Sequence, residues 1–168
     1  MAPASPGYSA YLQVASSLTA VEQLLGWLEG CRRAAPGAAQ LPERVWLEAQ
    51  MALVEGFTNA VRHAHRGLEP APAVQLDLEL SAQALELRVT DAGAPFDLAA
   101  AWERLAGELA AQAHDPLERE AHWGLILLLK LQQERGWRID YRPGDNGGNV
   151  LRLQHSFDAA AAEVALPG

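Results

Sequence analysis

The segment from Pro42 to His65 constrains the fold of this chain most, because its apolar and polar residues separate onto opposite sides of one helix. At about 100° per residue, one side carries an apolar stripe formed by Trp46, Leu53, Phe57, Val61 and Ala64. The opposite side carries Glu48, Glu55, Asn59 and Arg62, with Ala52 and Gly56 beside them. We therefore expect a long helix, with proline in its first turn, that is anchored to a core along the apolar stripe.

Glu55 and Asn59 are the chemically informative pair on the polar side of this helix. Residues four apart share one helix face. A glutamate there can orient or deprotonate a nucleophile, and an asparagine oxygen four residues on is a suitable ligand for Mg²⁺. The same pair is also typical of a solvated helix face. Gly56 favours a pocket, because a glycine inside a helix costs about 1 kcal/mol relative to alanine, and small residues would keep a pocket wall open.

Two further motifs follow in the chain. The residues from Asp91 to Phe96 (Asp-Ala-Gly-Ala-Pro-Phe) end an alternating strand, and Trp123-Gly124-Leu125 begins an apolar helix. This order of motifs resembles the GHKL ATPase superfamily. Within this superfamily, the sequence from Asn59 to His65 (Asn-Ala-Val-Arg-His-Ala-His) is most similar to the bacterial anti-sigma factor serine kinases. The likeness extends from about Tyr11 to Phe157.

The remaining patterns predict a single α+β domain. Apolar alternation predicts strands at 11–15, 74–80, 85–89, 137–141 and 149–157. Helical spacing predicts helices near 19–31, 42–65, 97–112 and 124–135. Such a chain forms a two-layer α/β sandwich, with a mixed, mostly antiparallel sheet and helices on one face, which is also the Bergerat-type fold that the resemblance implies. We expect a loose arm at 1–7, the ATPase domain at 8–157 and a frayed tail at 158–168.

The resemblance implies that the domain binds ATP and Mg²⁺ and assigns roles to several residues. Glu55 would be the catalytic base, and Asn59 the Mg²⁺ ligand. Asp91 would accept a hydrogen bond from the exocyclic amine of adenine, where guanine has a carbonyl. Gly93 would let the backbone approach the base. The other nucleotide-binding positions that it implies are Arg62, Phe96, His122, Gly124, Leu125 and Asn149.

Two of these positions depart from the family pattern. Relatives typically have Gly-x-Gly-Leu before the third motif's helix, where this chain has His122-Trp123-Gly124-Leu125. Relatives usually have Gly-Thr in the last hairpin, where this chain has Gly148-Asn149. Backbone amides at a helix start can still meet a phosphate, so we expect Gly124 to belong to a phosphate cradle.

The stretch 97–121 would form a lid over the phosphates. Arg104 and Arg119 are candidate phosphate contacts within it. Its apolar residues at helical spacing are better explained as ordinary helix packing; they are Trp102, Leu105 and Leu109.

Composition excludes several other classes of function. A net charge of −8 and a pI near 5.0 argue against a nucleic-acid binder, which needs a basic surface. The most apolar run, Leu125 to Leu129, is too short to cross a membrane, and the first seven residues lack the features of a signal peptide. Cys31 is the one cysteine, which suits a reducing cytoplasm and a buried apolar role. His63 and His65 are two apart on a helix and point away from each other, so we expect no zinc site.

These observations lead to one main hypothesis and two alternatives. The main hypothesis is a cytoplasmic regulatory serine kinase, similar to anti-sigma factors, that binds a sigma factor and phosphorylates a serine on an anti-anti-sigma (STAS-type) partner. Such proteins are commonly homodimers, and an exposed sheet edge could supply that contact. The first alternative is a non-catalytic interaction module of the same fold. The second, the catalytic domain of a histidine kinase, lacks support because these 168 residues show no phosphoacceptor helix pair or sensor.

Overall fold

The computed structural model describes residues 7–110 and 116–157, and the side chains among them except those of 108–110 and 116–122. The elements, in chain order, are β1 (Tyr8–Val14), α1 (Val21–Ala34), α2 (Glu43–Asn59) with a π-helical turn (Ala60–Ala64), β2 (Val74–Leu80), β3 (Ala84–Asp91), α3 (Leu98–Ala110), α4 (Pro116–Glu134), β4 (Trp137–Pro143) and β5 (Asn149–Ser156).

The five strands form one sheet in the order β1-β2-β3-β5-β4, and each of its four pairings is antiparallel. The predicted α+β sandwich is therefore confirmed, with an antiparallel sheet in place of a mixed one. The first strand begins at Tyr8, three residues earlier than predicted, and alternate residues from Tyr8 onward pack against the core. The predicted arm and tail lie outside the described residues, except for Gly7 in the arm.

The core lies between one face of the sheet and the helices that cover it. Strands β2 and β3 alternate strictly, so every second residue is buried, which is the period expected for a sheet with one covered face. Phe57 of α2, Leu24 of α1 and Leu128 of α4 are fully buried in this layer. Among the helices of the described residues, none has both the length and the apolar composition required to cross a lipid bilayer.

Glu48 does not face water or a pocket, contrary to the helical-wheel prediction. Its side chain is buried and accepts hydrogen bonds from Arg135 Nε at 2.6 Å and Trp137 Nε1 at 2.8 Å, and from Arg44 Nη1 at 3.0 Å. Burial alone would raise the pKa of Glu48, but these donors outweigh it and lower the pKa. The carboxylate thus ties α2 to the end of α4 and the start of β4.

Gly56 also has a different role from the one predicted. It is buried against the sheet, where a Cβ would lie 2.7 Å from Leu151 Cδ2 and 3.2 Å from Val89 Cγ2. The glycine therefore lets α2 approach β3 and β5 closely, and it does not keep a pocket wall open. This close approach brings the C-terminal end of α2 over the ends of both strands.

Candidate functional site

A cavity of about 630 Å³ lies at the C-terminal end of α2, a volume typical of small-molecule sites. The loop after β3 and residues of α3, α4, β4 and β5 also line it. The described residues that line it are Asn59, His63, Ala64, Arg66, Leu68, Asp91, Ala92, Gly93, Ala94, Pro95, Phe96, Ala101, Arg104, Leu105, Leu125, Tyr141 and Asn149.

Asp91 and Asn149 form the buried polar centre of this lining. They are 7% and 3% exposed, and Asn149 Nδ2 donates to Asp91 Oδ1 at 3.0 Å. The backbone N–H of Gly93 donates to the same oxygen at 2.8 Å. Asp91 Oδ2 accepts no hydrogen bond from the described residues, so one carboxylate oxygen can accept from a ligand. The asparagine that replaces the family's threonine therefore reaches the aspartate.

Asn149 also holds the loop that follows β3. Its Nδ2 donates to the Ala94 carbonyl at 2.8 Å, and its Oδ1 accepts from the Phe96 N–H at 3.0 Å. Phe96 in turn contacts Tyr141 edge-on, with ring centroids 5.0 Å apart. We call residues 91–96 the Asp91 loop. A single side chain on β5 fixes three points of this loop, so its shape is set before any ligand binds.

Gly93 is explained by packing rather than by approach to a ligand. A Cβ on Gly93 would lie 2.6 Å from the Ala64 carbonyl oxygen and 2.7 Å from Ala64 Cβ. The Asp91 loop therefore rests directly on the π-helical turn that ends α2. Gly93 also lines the cavity, but its lack of a side chain is required by Ala64.

Asn59 lies in the cavity wall, one turn from Glu55, as the shared helix face predicts. Tyr141 lies in the wall of the same cavity. Burial raises the pKa of Tyr141, as does the negative charge of Asp91, while the Asn59 contact opposes the rise. The phenol therefore stays protonated near neutral pH, and Tyr141 lines the same cavity as Asn59 and Asp91.

Glu55 is half-buried beside α4 and is not part of the described cavity lining. A Cβ on Gly124 would overlap the Glu55 carboxylate, so the glycine makes room for this side chain. Burial raises the pKa of Glu55, and the positive charge of Arg62 acts against that rise. Arg62 itself is exposed and does not belong to the described lining.

Gly124 does not lie at the start of a helix, contrary to the prediction. Helix α4 begins at Pro116, so His122 and Gly124 both lie in its interior, where backbone amides donate hydrogen bonds within the helix.

Leu125 lines the cavity. Of the predicted phosphate contacts, Arg104 lines the cavity, whereas the side chains of His122 and Arg119 lie outside the described ones. Leu105 is buried and lines the cavity, and Trp102 is partly buried against the core; the side chain of Leu109 is not described.

Several residues of the lining were not predicted from the sequence. His63 was considered only as a zinc ligand, and Arg66 and Tyr141 were not considered as site residues. Proximity to Asn59 in the chain could have indicated the two basic residues, but no pattern indicates Tyr141, whose position depends on the pairing of β4 with β5.

Among the lining residues that the structure describes, Asp91 is the one carboxylate, and the basic residues are His63, Arg66 and Arg104. The described lining therefore carries two arginines and one carboxylate, although the whole chain has a net charge of −8.

Comparison with known families agrees with this geometry. The family model of the histidine kinase-like ATPase domain matches residues 14–155, which include every described residue of the cavity lining. The chain belongs to this family. A search of curated proteins found no match to the chain. A histidine kinase-like ATPase domain is an ATP-binding domain, so membership of the family supports ATP binding by this chain.

Within the described part of this ATPase domain, no three His, Cys, Asp or Glu side chains are grouped as a metal site would require. Asn59 offers a single oxygen to a cation. A magnesium ion held there would take its other ligands from phosphate oxygens and water, as Mg²⁺ usually does.

Proposed function

We propose that this domain is an ATP-dependent serine kinase of the anti-sigma type, which binds a sigma factor and phosphorylates a serine on an anti-anti-sigma (STAS-type) partner. The observation that carries the proposal is the lining itself, which joins a buried acceptor (Asp91), an amide oxygen (Asn59) and two arginines (Arg66 and Arg104) in one cavity. Adenine, a metal ion and phosphates require these three kinds of group.

Asp91 would read the adenine base. Asn149 and the Gly93 N–H occupy Oδ1, and Oδ2 would accept from the exocyclic amine of adenine. Guanine presents a carbonyl oxygen at that position, which a carboxylate repels. The cavity therefore fits an adenine nucleotide better than a guanine nucleotide.

Asn59 would hold Mg²⁺ through its side-chain oxygen. A bound magnesium ion neutralises phosphate charge during phosphoryl transfer. Arg66 and Arg104 would add positive charge at the same cavity, where Arg-phosphate hydrogen bonds are strong. These arginines would supply part of the contact that relatives obtain from a glycine-rich segment, since the amide of Gly124 lies inside α4.

Glu55 would act as the base in the transfer. It would take the proton from the partner's serine hydroxyl while that oxygen bonds to the γ-phosphorus and the bond to ADP breaks. A raised pKa brings a carboxylate closer to the pH at which it is an effective base. In this structure the carboxylate lies against Gly124, so the transfer requires Glu55 to turn towards the cavity.

The alternative is a non-catalytic module that binds a partner and has lost ATP turnover. One observation favours it: α4 continues through the degraded glycine motif, and Glu55 packs against this helix. In either case we expect a cytoplasmic homodimer that acts through proteins. The outer edge of β1 offers unpaired backbone groups for the dimer contact.

Glu55→Ala and Asn59→Ala separate chemistry from binding. Glu55→Ala should bind Mg-ATP within a few-fold of wild type and lose phosphoryl transfer by roughly 10²–10⁴-fold, the usual contribution of a positioned base. Asn59→Ala should lose transfer and also the Mg²⁺ dependence of binding. Calorimetry with ATP and GTP, beside transfer of radiolabelled phosphate to an anti-anti-sigma protein, measures both quantities.

The matched control is Glu22→Ala, which removes an exposed glutamate from the first turn of α1. It should behave as wild type in both assays. Equal affinity for ATP and GTP would contradict the role of Asp91. Tight ATP binding with no labelled partner, in a wild type that still inhibits its sigma factor, would leave the non-catalytic module as the function.

A further inference from the structure

His65 is buried beneath the Asp91 loop, with both ring nitrogens in hydrogen bonds. Its side chain is 3% exposed. Nδ1 lies 2.9 Å from the hydroxyl oxygen of Ser16, and Nε2 accepts from the backbone N–H of Ala92 at 2.9 Å. The imidazole therefore connects the segment after β1 to the residue between Asp91 and Gly93.

The partners of His65 fix its protonation. The Ala92 N–H can only donate, so Nε2 must carry a lone pair, and the ring proton lies on Nδ1, which donates to Ser16. A neutral imidazole of this tautomer satisfies both contacts. Loss of the acceptor would leave the Ala92 N–H without its protein partner, and the loop would lose its hydrogen bond to the α2 side.

The π-helical turn brings His65 to this position. The backbone N–H of His65 bonds the Ala60 carbonyl at 2.9 Å, five residues back instead of four. The widened turn places Ala64 against Gly93 and, one residue on, His65 beneath Ala92. Such turns are rare and occur frequently at functional sites. Three consecutive residues of the Asp91 loop are thus held by different partners. Asp91 is held by Asn149, Ala92 by His65, and Gly93 packs against Ala64.

We propose that His65 is a positioning residue for nucleotide selectivity: it holds the Ala92 amide, and with it Asp91, in the geometry that reads adenine. Asn149 fixes the loop from the β5 side, and His65 fixes it from the α2 side. With only one of these contacts the Asp91 carboxylate could tilt, and an acceptor that tilts discriminates amine from carbonyl poorly. The proposal rests on the proposed function, because it takes adenine as the base that Asp91 reads.

His65→Leu and His65→Gln test this role. Leucine has no acceptor, whereas the Oε1 of glutamine lies as many bonds from Cα as Nε2 and can accept from Ala92. We expect His65→Leu to weaken Mg-ATP binding about fivefold, the effect of losing one hydrogen bond that positions the loop, and to reduce the ATP-to-GTP affinity ratio. His65→Gln should restore most of both. Calorimetry with each nucleotide gives these values.

Amide hydrogen exchange at Ala92, read by NMR without nucleotide, provides an independent measurement. Exchange should be slow in wild type and His65→Gln and at least tenfold faster in His65→Leu. The matched control is His155→Leu, which removes a partly buried histidine from β5, beside Trp137 and away from the cavity lining. It should leave the Ala92 exchange rate and the ATP-to-GTP ratio unchanged, even if the fold is less stable.

Unchanged Ala92 exchange in His65→Leu would overturn the proposal, as would an equal loss of ATP affinity in His65→Leu and His155→Leu. A wild type that binds no adenine nucleotide would instead refute the proposed function. In that case Ala92 exchange still decides whether His65 holds the loop.

Discussion

Asn149→Ala should lower both stability and nucleotide affinity, because one buried side chain makes three hydrogen bonds to the Asp91 loop. A net contribution of about 1 kcal/mol per bond gives about 3 kcal/mol. Ala94 and Phe96 are exposed, so water can replace their lost partners, whereas Asp91 is buried. We therefore expect the free energy of unfolding to fall by about 2 kcal/mol.

Asn149→Thr provides the informative comparison. A threonine hydroxyl has one proton to donate, so it can donate to Asp91 but not also to the Ala94 carbonyl. It should keep ATP affinity within a few-fold while recovering only part of the lost stability. Urea unfolding followed by circular dichroism, and calorimetry with Mg-ATP, measure the two effects. Gln154→Ala, an amide on the same strand but on the open face of the sheet, is the control.

An unchanged urea midpoint in Asn149→Ala would show that the three hydrogen bonds contribute no net stability. If Asn149→Thr lost as much ATP affinity as Asn149→Ala, the contact with Asp91 would not be what positions the carboxylate. Either result would refute this account of the Asp91 loop.

Three other outcomes follow from the packing. Gly124→Ala should keep or raise stability, since alanine favours a helix interior by about 1 kcal/mol. It should also raise phosphoryl transfer, because the new Cβ displaces the Glu55 carboxylate from its position against α4, which is the movement that the transfer requires; thermal melts beside the kinase assay test both effects. Gly56→Ala should lower stability by about 1–2 kcal/mol in urea unfolding, as overpacking against Leu151 exceeds the gain in helix propensity. Burial lowers the pKa of His155 below its ordinary 6.5, with the charge of Arg44 adding to the effect. The unfolded chain therefore binds the proton more readily, and stability should fall as pH drops below about 6.5; His155→Gln should flatten urea midpoints across pH 7.5 to 5.5.

Elements with a local signal could be predicted from the sequence. The alternation in β2 and β3 is set by which residues face the helices, and this pattern is visible within eight residues. Asn59 and Asp91 belong to short motifs at element ends, and the structure places both in the same cavity. Local sequence patterns were therefore sufficient to predict the fold class and to predict Asn59 and Asp91 as polar residues of the site.

Features that depend on distant partners could not be predicted. Glu48 is on the polar side of α2, and its burial depends on Arg135 and Trp137, more than eighty residues later. Gly56 resembled a pocket residue because Leu151, which requires it to be small, is equally remote. Gly124 resembled a helix boundary because glycine is a poor helix former, and only its contact with Glu55 explains its position inside α4.

The position of β5 has a consequence for how the protein is made. The ribosome completes this strand after the other four, yet it lies inside the sheet, between β3 and β4. Until β5 emerges, β3 has an open edge and Asp91 lacks Asn149. Closure of the sheet and completion of the cavity's polar centre therefore coincide, and both require that β5 has been synthesised.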